Sequence, residues 1–316
     1  MRALVTGGAG FIGSHLVDAL VAGGHEVVVL DNLATGRRDN VHAAARFVEG
    51  DVADPADVDA AVAGCDVVFH QAALGSVPRS LADPLTSDRS NVRGTLAVLD
   101  GARRAGVHRV VLASSSSVYG GAEQVPTPET APLAPRSPYA VTKLAGEHYA
   151  RVHWEVHGLE TVALRYFNVF GPRQRLGGPY AAVIPLFVDA LLTGDAPVMH
   201  GDGLQSRDFT FVTDAVQANL RAAAAPAARC AGRAFNIARG DPVALVDLLA
   251  LLADEVGVTA TPVHAETRPG DVRRSHADIT AARRDLGYEP AVALRTGLAR
   301  TVAWYRASVH APSVPG

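Results

Sequence analysis

The chain has 316 residues, enough for one large or two medium domains, and 48% of them are hydrophobic, enough to fill a sizeable core. Lys and Arg total 29 against 32 Asp and Glu, a formal charge of -3 with both signs interspersed, which excludes the basic footprint of a nucleic-acid binder and a polybasic membrane surface. No apolar run is long enough to cross a bilayer, no signal-peptide pattern precedes the first strand, and Cys65 and Cys230 make neither a disulfide framework nor a metal cluster, so a cytosolic placement is expected.

Residues 2–6 form a short apolar run, TGGAGFIGSH leads into a helix to about residue 22, and HEVVVLD returns as a strand near residues 25–31. This is a βαβ opening. Further strands are expected at RFVEG, at CDVVFH near residues 65–70 and at HRVVLASS near residues 108–115, alternating with helices near 56–63 and 91–106. The run from Tyr139 to His157 reads as another helix, and LETVALRYF as the strand after it. This alternation predicts an α/β fold, a Rossmann-like, mostly parallel sheet with helices on both faces. From residue 171 the texture changes: GPRQRLGGPYAAVIP, APVMHG, SRDFTFV and TRPGDVRRS alternate with helices. Residues 171–316 are therefore expected to form mainly a smaller C-terminal lobe against a nucleotide domain of residues 1–170. The boundary is soft, because segments near residues 212–240 return to that domain and AFNIA reads as another strand of the main sheet. AAAAPAARCA reads as a helix end and loop.

Gly7, Gly10 and Gly13 follow a strand and open a helix, where tight turning lets a helix N-terminus meet a pyrophosphate. Asp31 closes the second strand, placed to accept from the adenosine ribose hydroxyls. Its carboxylate would repel a 2′-phosphate, so NAD is expected rather than NADP. Asp51 is a candidate for the adenine amino group or a solvated loop aspartate, and the small Ala72 and Ala73 after Gln71 let a dinucleotide lie close. Asn91 is either a helix cap or a hydrogen-bonding support near the tyrosine discussed next.

Lys143 is the only lysine of the chain and stands four residues after Tyr139, so the two share one helix face. A compact ammonium beside a phenol favours phenolate and is expected to lower the tyrosine pKa towards that of a general base. The scattered histidines, His70 and His153 among them, lack ligand spacing, and no metal is expected.

Taken together, TGGAGFIGSHL, DN at residue 31, HQAA, ASSSSVYG, YAVTK, RYFNVFGPRQ and SRDFTFV resemble the extended short-chain dehydrogenase/reductase superfamily over about residues 1–305. The chain is most similar to its nucleotide-sugar 4-epimerases of the UDP-glucose and UDP-N-acetylglucosamine type. The resemblance implies tightly held NAD, a UDP-sugar in the smaller lobe, and a homodimer through helices. It assigns catalysis to Tyr139 and Lys143 with Ser115, or neighbouring Ser116, as hydroxyl relay. It also implies cofactor contacts from Phe11, Ile12, Asn32, Val52, Asn91 and Tyr166. For the sugar nucleotide it implies Ser117, Asn168 at the diphosphate, Ala182 and Val183 against the nucleotide, Arg207 and Arg268 as phosphate clamps, and Asp271 near the ribose. Arg79 resembles the epimerases of N-acetylated UDP-sugars, and Ser275 aligns with a gatekeeper whose small size leaves room at sugar C2. Related dehydratases carry an acid before the VYG turn, where Ser116 and Ser117 supply no carboxylate. The resemblance thus implies 4-epimerisation of UDP-GlcNAc/UDP-GalNAc, with UDP-Glc/UDP-Gal as further substrates. Its alternative is a UDP-glucuronate 4-epimerase or another nucleotide-sugar epimerase, and a reading of a different class is a noncatalytic NAD-binding protein.

Overall fold

The computed structural model describes residues 1–176, 181–267 and 272–309. Its first half runs β1 (Arg2–Thr6), α1 (Phe11–Ala22), β2 (Glu26–Asp31), β3 (Arg46–Glu49), α2 (Pro55–Val62), β4 (Val67–His70), α3 (Val77–Ala82), α4 (Pro84–Asp88), α5 (Gly94–Arg104), β5 (Arg109–Ser115), α6 (Pro138–His157) and β6 (Glu160–Tyr166). The second half adds β7 (Val169–Phe170), α7 (Val183–Thr193), β8 (Val198–His200), β9 (Ser206–Arg207), β10 (Thr210–Phe211), α8 (Val212–Ala224), α9 (Ala227–Cys230), β11 (Arg233–Ile237), β12 (Val243–Ala244), α10 (Leu245–Val256), β13 (Val263–Ala265) and α11 (Leu294–Val309).

Seven strands form one parallel sheet in the order β11-β6-β5-β4-β1-β2-β3. Alternate residues of a strand point to opposite faces, and here both faces are covered. Val5 and Val111 pack with Leu16 and Val17 of α1 and Ala218 of α8. Leu4 and Val110 pack on the other side with Val58 of α2 and Val98 and Leu99 of α5. Each such fully buried valine or leucine contributes roughly 1.5–3 kcal/mol, which is why these strands read as nearly continuous apolar runs. β11 is the seventh strand, paired with β6, so the AFNIA segment belongs to the main sheet. A third cluster, including Phe187 of α7, Met199 of β8, Leu248 and Leu252 of α10, and Tyr305 of α11, joins the C-terminal elements outside the main sheet.

Local signals fix the helix that matters most. Ser137 caps α6 by accepting from Ala140 N at 3.2 Å, Pro138 occupies the first turn, and Gly158 ends the helix in a left-handed conformation at φ 70°. The helix expected near 91–106 departs from its sequence reading. α4 begins at Pro84, and a wide π turn over Arg89–Arg93 leads into α5, so Asn91 lies inside a helical run and is not its cap.

Candidate active site

Parallel strands deliver their carboxyl ends to one edge, and the sheet order reverses direction beside β1, which opens a crevice there. Between this edge and the C-terminal lobe lies a cleft of about 940 Å³. Its wall at the β1–α1 turn is built by glycines. A β-carbon on Gly13 would stand 2.1 Å from the Gly7 carbonyl oxygen, and one on Gly7, at φ +71°, would meet Ala72 N at 2.6 Å. Gly10 caps α1 without a side-chain acceptor and the first turn holds no acid, so its N–H groups are left for an anion. That cradle fits the pyrophosphate of a dinucleotide. At the end of β2, Asp31 accepts from Ala9 N at 3.0 Å and Leu33 N at 2.8 Å, bonds that fix its carboxylate at the cleft wall. Burial pushes the Asp31 carboxyl up, and those two N–H groups act against it.

At the end of β5, Ser115 Oγ accepts from Ser117 N at 3.2 Å and from Ser117 Oγ at 2.9 Å. Ser115 is the serine whose hydroxyl acts on the Tyr139 phenol, favouring its charged form, and both Ser115 and Ser116 line the cleft. Lys143 Nζ donates to Ala113 O at 2.8 Å and lies 6.0 Å from the Tyr139 ring centre. One expectation is corrected here. Burial pushes the Tyr139 phenol up in the protein alone, with the Ser115 hydrogen bond acting against it, and burial holds the Lys143 ammonium down to about 8. Desolvation penalises either charge, so in the protein alone burial outweighs what the neighbouring ammonium offers the phenolate.

Of the residues singled out from sequence, Gly7, Gly10, Phe11, Ile12, Gly13, Asp31, Asn32, Val52, Gln71, Ala72 and Ala73 line the cleft on the sheet side. Ser115, Ser116, Ser117, Tyr139, Lys143 and Tyr166 line its centre, and Asn168, Ala182, Val183, Arg207 and Ser275 line the lobe side. Three do not line it. Asp51 accepts from Ala53 N at 2.9 Å and pairs with Arg89 at 2.7 Å, and Arg89 takes the place at the wall. Burial raises the Asp51 carboxyl, but Ala53 N–H and Arg89 outweigh it and hold it below its ordinary value. Asn91 is buried behind the wall, accepting from Leu74 N at 2.8 Å and donating to Thr142 Oγ1 at 3.0 Å, a support for the Leu74 loop and for α6. Arg79 belongs to α3, whose Val77, Pro78 and Leu81 face the cleft in its stead. Arg268 and Asp271 lie outside the described residues.

The sequence reading missed Arg89, Arg136 and Arg274, all at the cleft wall. It also missed the buried pair of Glu147 with Arg165 at 2.7 Å; an arginine inside the apolar strand VALRYF was its only written sign.

A dinucleotide cradle opening onto a Ser–Tyr–Lys cluster at the end of a parallel sheet defines an enzyme of the short-chain dehydrogenase/reductase type. Residues 3–238 match the NAD dependent epimerase/dehydratase family, and the chain belongs to that family. It is 44% identical to a UDP-glucose 4-epimerase of Mycolicibacterium smegmatis over 97% of this chain and 99% of that protein. It is 40% identical to a dTDP-glucose 4,6-dehydratase of Streptomyces griseus over 96% of this chain and 93% of the other. It is also similar to the structure of a UDP-N-acetylglucosamine 4-epimerase from Methanobrevibacter ruminantium in complex with UDP-N-acetylmuramic acid. That similarity has a TM-score of 0.92 and 37% identity, and covers 98% of this chain and 99% of that one.

Proposed function

We propose that the protein is an NAD-dependent 4-epimerase of UDP-hexoses. The observation that carries this reading is the distribution of acids around the cleft. Among the described lining residues Asp31 is the single carboxylate, and it belongs to β2, whereas Ser115 and Tyr139 stand at the end of β5. β4 and β1 intervene, so three strand spacings separate the two ends by roughly 14 Å. Elimination of water from a sugar needs an acid or base at the sugar itself, and Ser116 and Ser117 offer only hydroxyls there.

NAD, when bound, supplies a hydride acceptor and donor at sugar C4. Tyr139 takes the proton of the 4-hydroxyl, Ser115 hydrogen-bonds at the same oxygen and holds it against the phenol, and the Lys143 cation offsets the charge that forms on Tyr139. The 4-keto sugar turns about its diphosphate, and Tyr139 returns the proton when the opposite face is reduced. Ser115 keeps one geometry for both passes, and because the hydride removed from C4 would be the one returned, the cycle would consume no external reductant.

Small Ser275 at the cleft supports room for an N-acetyl group at C2, hence UDP-GlcNAc/UDP-GalNAc, and a site with that room also admits UDP-Glc/UDP-Gal. A second reading, a UDP-hexuronate, is supported by Arg136 and Arg274, two guanidinium groups at the cleft wall suited to a carboxylate. Val141, Tyr149, Val152 and Val156 form an exposed apolar stripe along α6, which supports a homodimer through that helix. The reading is tested by incubating the protein separately with UDP-GlcNAc, UDP-glucose and UDP-glucuronate and resolving each from its C4 epimer. Interconversion of one of them that Tyr139→Phe lowers about 100-fold or more is expected. Conversion to a 4-keto-6-deoxy sugar, or none with all three despite bound NAD, would refute it.

A further inference from the structure

Behind the cleft lies a buried ionic group that none of these steps uses. Glu147 sits one helical turn beyond Lys143 on α6, so their β-carbons are neighbours about 5–6 Å apart. Its carboxylate accepts from Arg165 Nε at 2.9 Å, from Arg165 Nη2 at 2.7 Å and from the Ser114 hydroxyl. Ser114 immediately precedes Ser115 on β5, and Ala113, whose carbonyl receives Lys143 Nζ, precedes Ser114. Arg165 lies opposite Ser114 in the β5–β6 register and also donates to the Tyr119 hydroxyl at 2.7 Å and the Glu129 carbonyl at 3.1 Å. Ser114, Glu147 and Arg165 are all buried. Apolar residues of the same volume would pack such a place at least as well, so an ionic pair there points to a use for its charge.

We propose that Glu147 is a positioning residue: its carboxylate, fixed by Arg165 and Ser114, is the counter-ion of Lys143 and the anchor of the strand end that presents Ser115. Its consequence for turnover rests on the epimerase reading. Few charged or titratable groups surround the pair. His70 faces Lys143 from β4 and is neutral, because burial and the ammonium hold it down to about 3. Tyr139 shares the helix of Lys143. Arg165 reaches Glu147 from β6, backed by Tyr119 and Glu129, and His148 and Arg151 border it on α6. Glu147 is thus the anion acting on Lys143, raising an ammonium that burial lowers.

Because Lys143 is the only lysine, protein labelled with 13C at lysine Cε gives a single side-chain signal whose pH titration needs no turnover. The double variant E147Q/R165Q removes both charges and leaves no lone buried arginine. Glu147→Asp, which withdraws the carboxylate by one methylene, is titrated in parallel in case the double variant does not fold. The Lys143 midpoint is expected to fall in the double variant, by less than loss of a lone carboxylate would cause because the Arg165 cation leaves with it, and by less again in Glu147→Asp, with the alkaline limb of the pH–rate profile moving alongside. Ser114→Ala is expected to leave the midpoint in place and to lower kcat with little change in KM. An unmoved midpoint in folded variants overturns the counter-ion role, and an unchanged kcat in Ser114→Ala overturns the anchor. A midpoint that falls in a protein inactive on every UDP-sugar upholds the electrostatic role and counts against the epimerase reading alone.

Discussion

Lys143→Met is expected to make the protein more stable while disabling it. Burial holds Lys143 down to about 8 against an ordinary value of 10.5, a depression that corresponds to about 3 kcal/mol of destabilisation at neutral pH. Methionine keeps the length of the side chain without its charge but loses the hydrogen bond to Ala113 O, about 1 kcal/mol. The net expectation at pH 7 is a gain of about 2 kcal/mol in unfolding free energy. Its pH dependence carries a definite sign. Below about 8 the lysine is protonated in both the folded and the unfolded chain, so wild type bears the whole cost. Between about 8 and 10.5 only the unfolded chain holds the proton, so wild type gains stability as pH rises and the advantage of the methionine variant shrinks. Urea unfolding of both proteins at pH 7 and pH 10 measures the difference, and groups that titrate in both cancel. A variant less stable than wild type at pH 7, or an advantage equally large at pH 10, would refute the account of Lys143 as a buried ammonium held at a cost for its chemistry.

Gly13→Ala places a β-carbon 2.1 Å from the Gly7 carbonyl, which the turn relieves only by shifting. A loss of about 1–3 kcal/mol is expected in thermal unfolding, with NAD affinity weakened further because the same turn receives the pyrophosphate. Ser275→Tyr fills the space argued for the C2 substituent. The ratio of kcat/KM for UDP-GlcNAc over UDP-glucose is expected to fall by about 10–200-fold, and an unchanged ratio would move the gatekeeper elsewhere.

The fold was legible where a residue's role is local. Glycine spacing after an apolar run, the acid ending β2 and the Tyr139/Lys143 spacing all follow from one strand–turn–helix unit or one helix face, and each lands at the cleft. Of the two readings of Asn91 the cap failed, because a π turn has no marker in propensity, while the hydrogen-bonding support stood; the pairing of Asp51 with Arg89 was not legible because the two lie 38 residues apart. Four consecutive serines do not encode which hydroxyl faces Tyr139, because that depends on where β5 ends. The Tyr139 pKa was misread for a further reason. Proximity of a cation is visible in a sequence, but the desolvation that opposes it depends on how completely the site is enclosed.

Identity to relatives does not separate epimerisation from dehydration, since this chain is 44% identical to a protein of one kind and 40% identical to one of the other. Both reactions need the same first step, oxidation at C4, and so the same cradle and the same tyrosine and lysine. They diverge only at the ketone, which either loses water through a nearby acid and base or turns and is reduced again. The choice therefore falls to a few side chains around the sugar. Among the described residues of the cleft wall, Ser116 and Ser117 offer hydroxyls and the single carboxylate stands several strands away on β2, which favours the second course. Rotation needs no catalyst, only space and a tether at the diphosphate. A cleft of about 940 Å³ provides the first, and Arg207 at its wall suits the second.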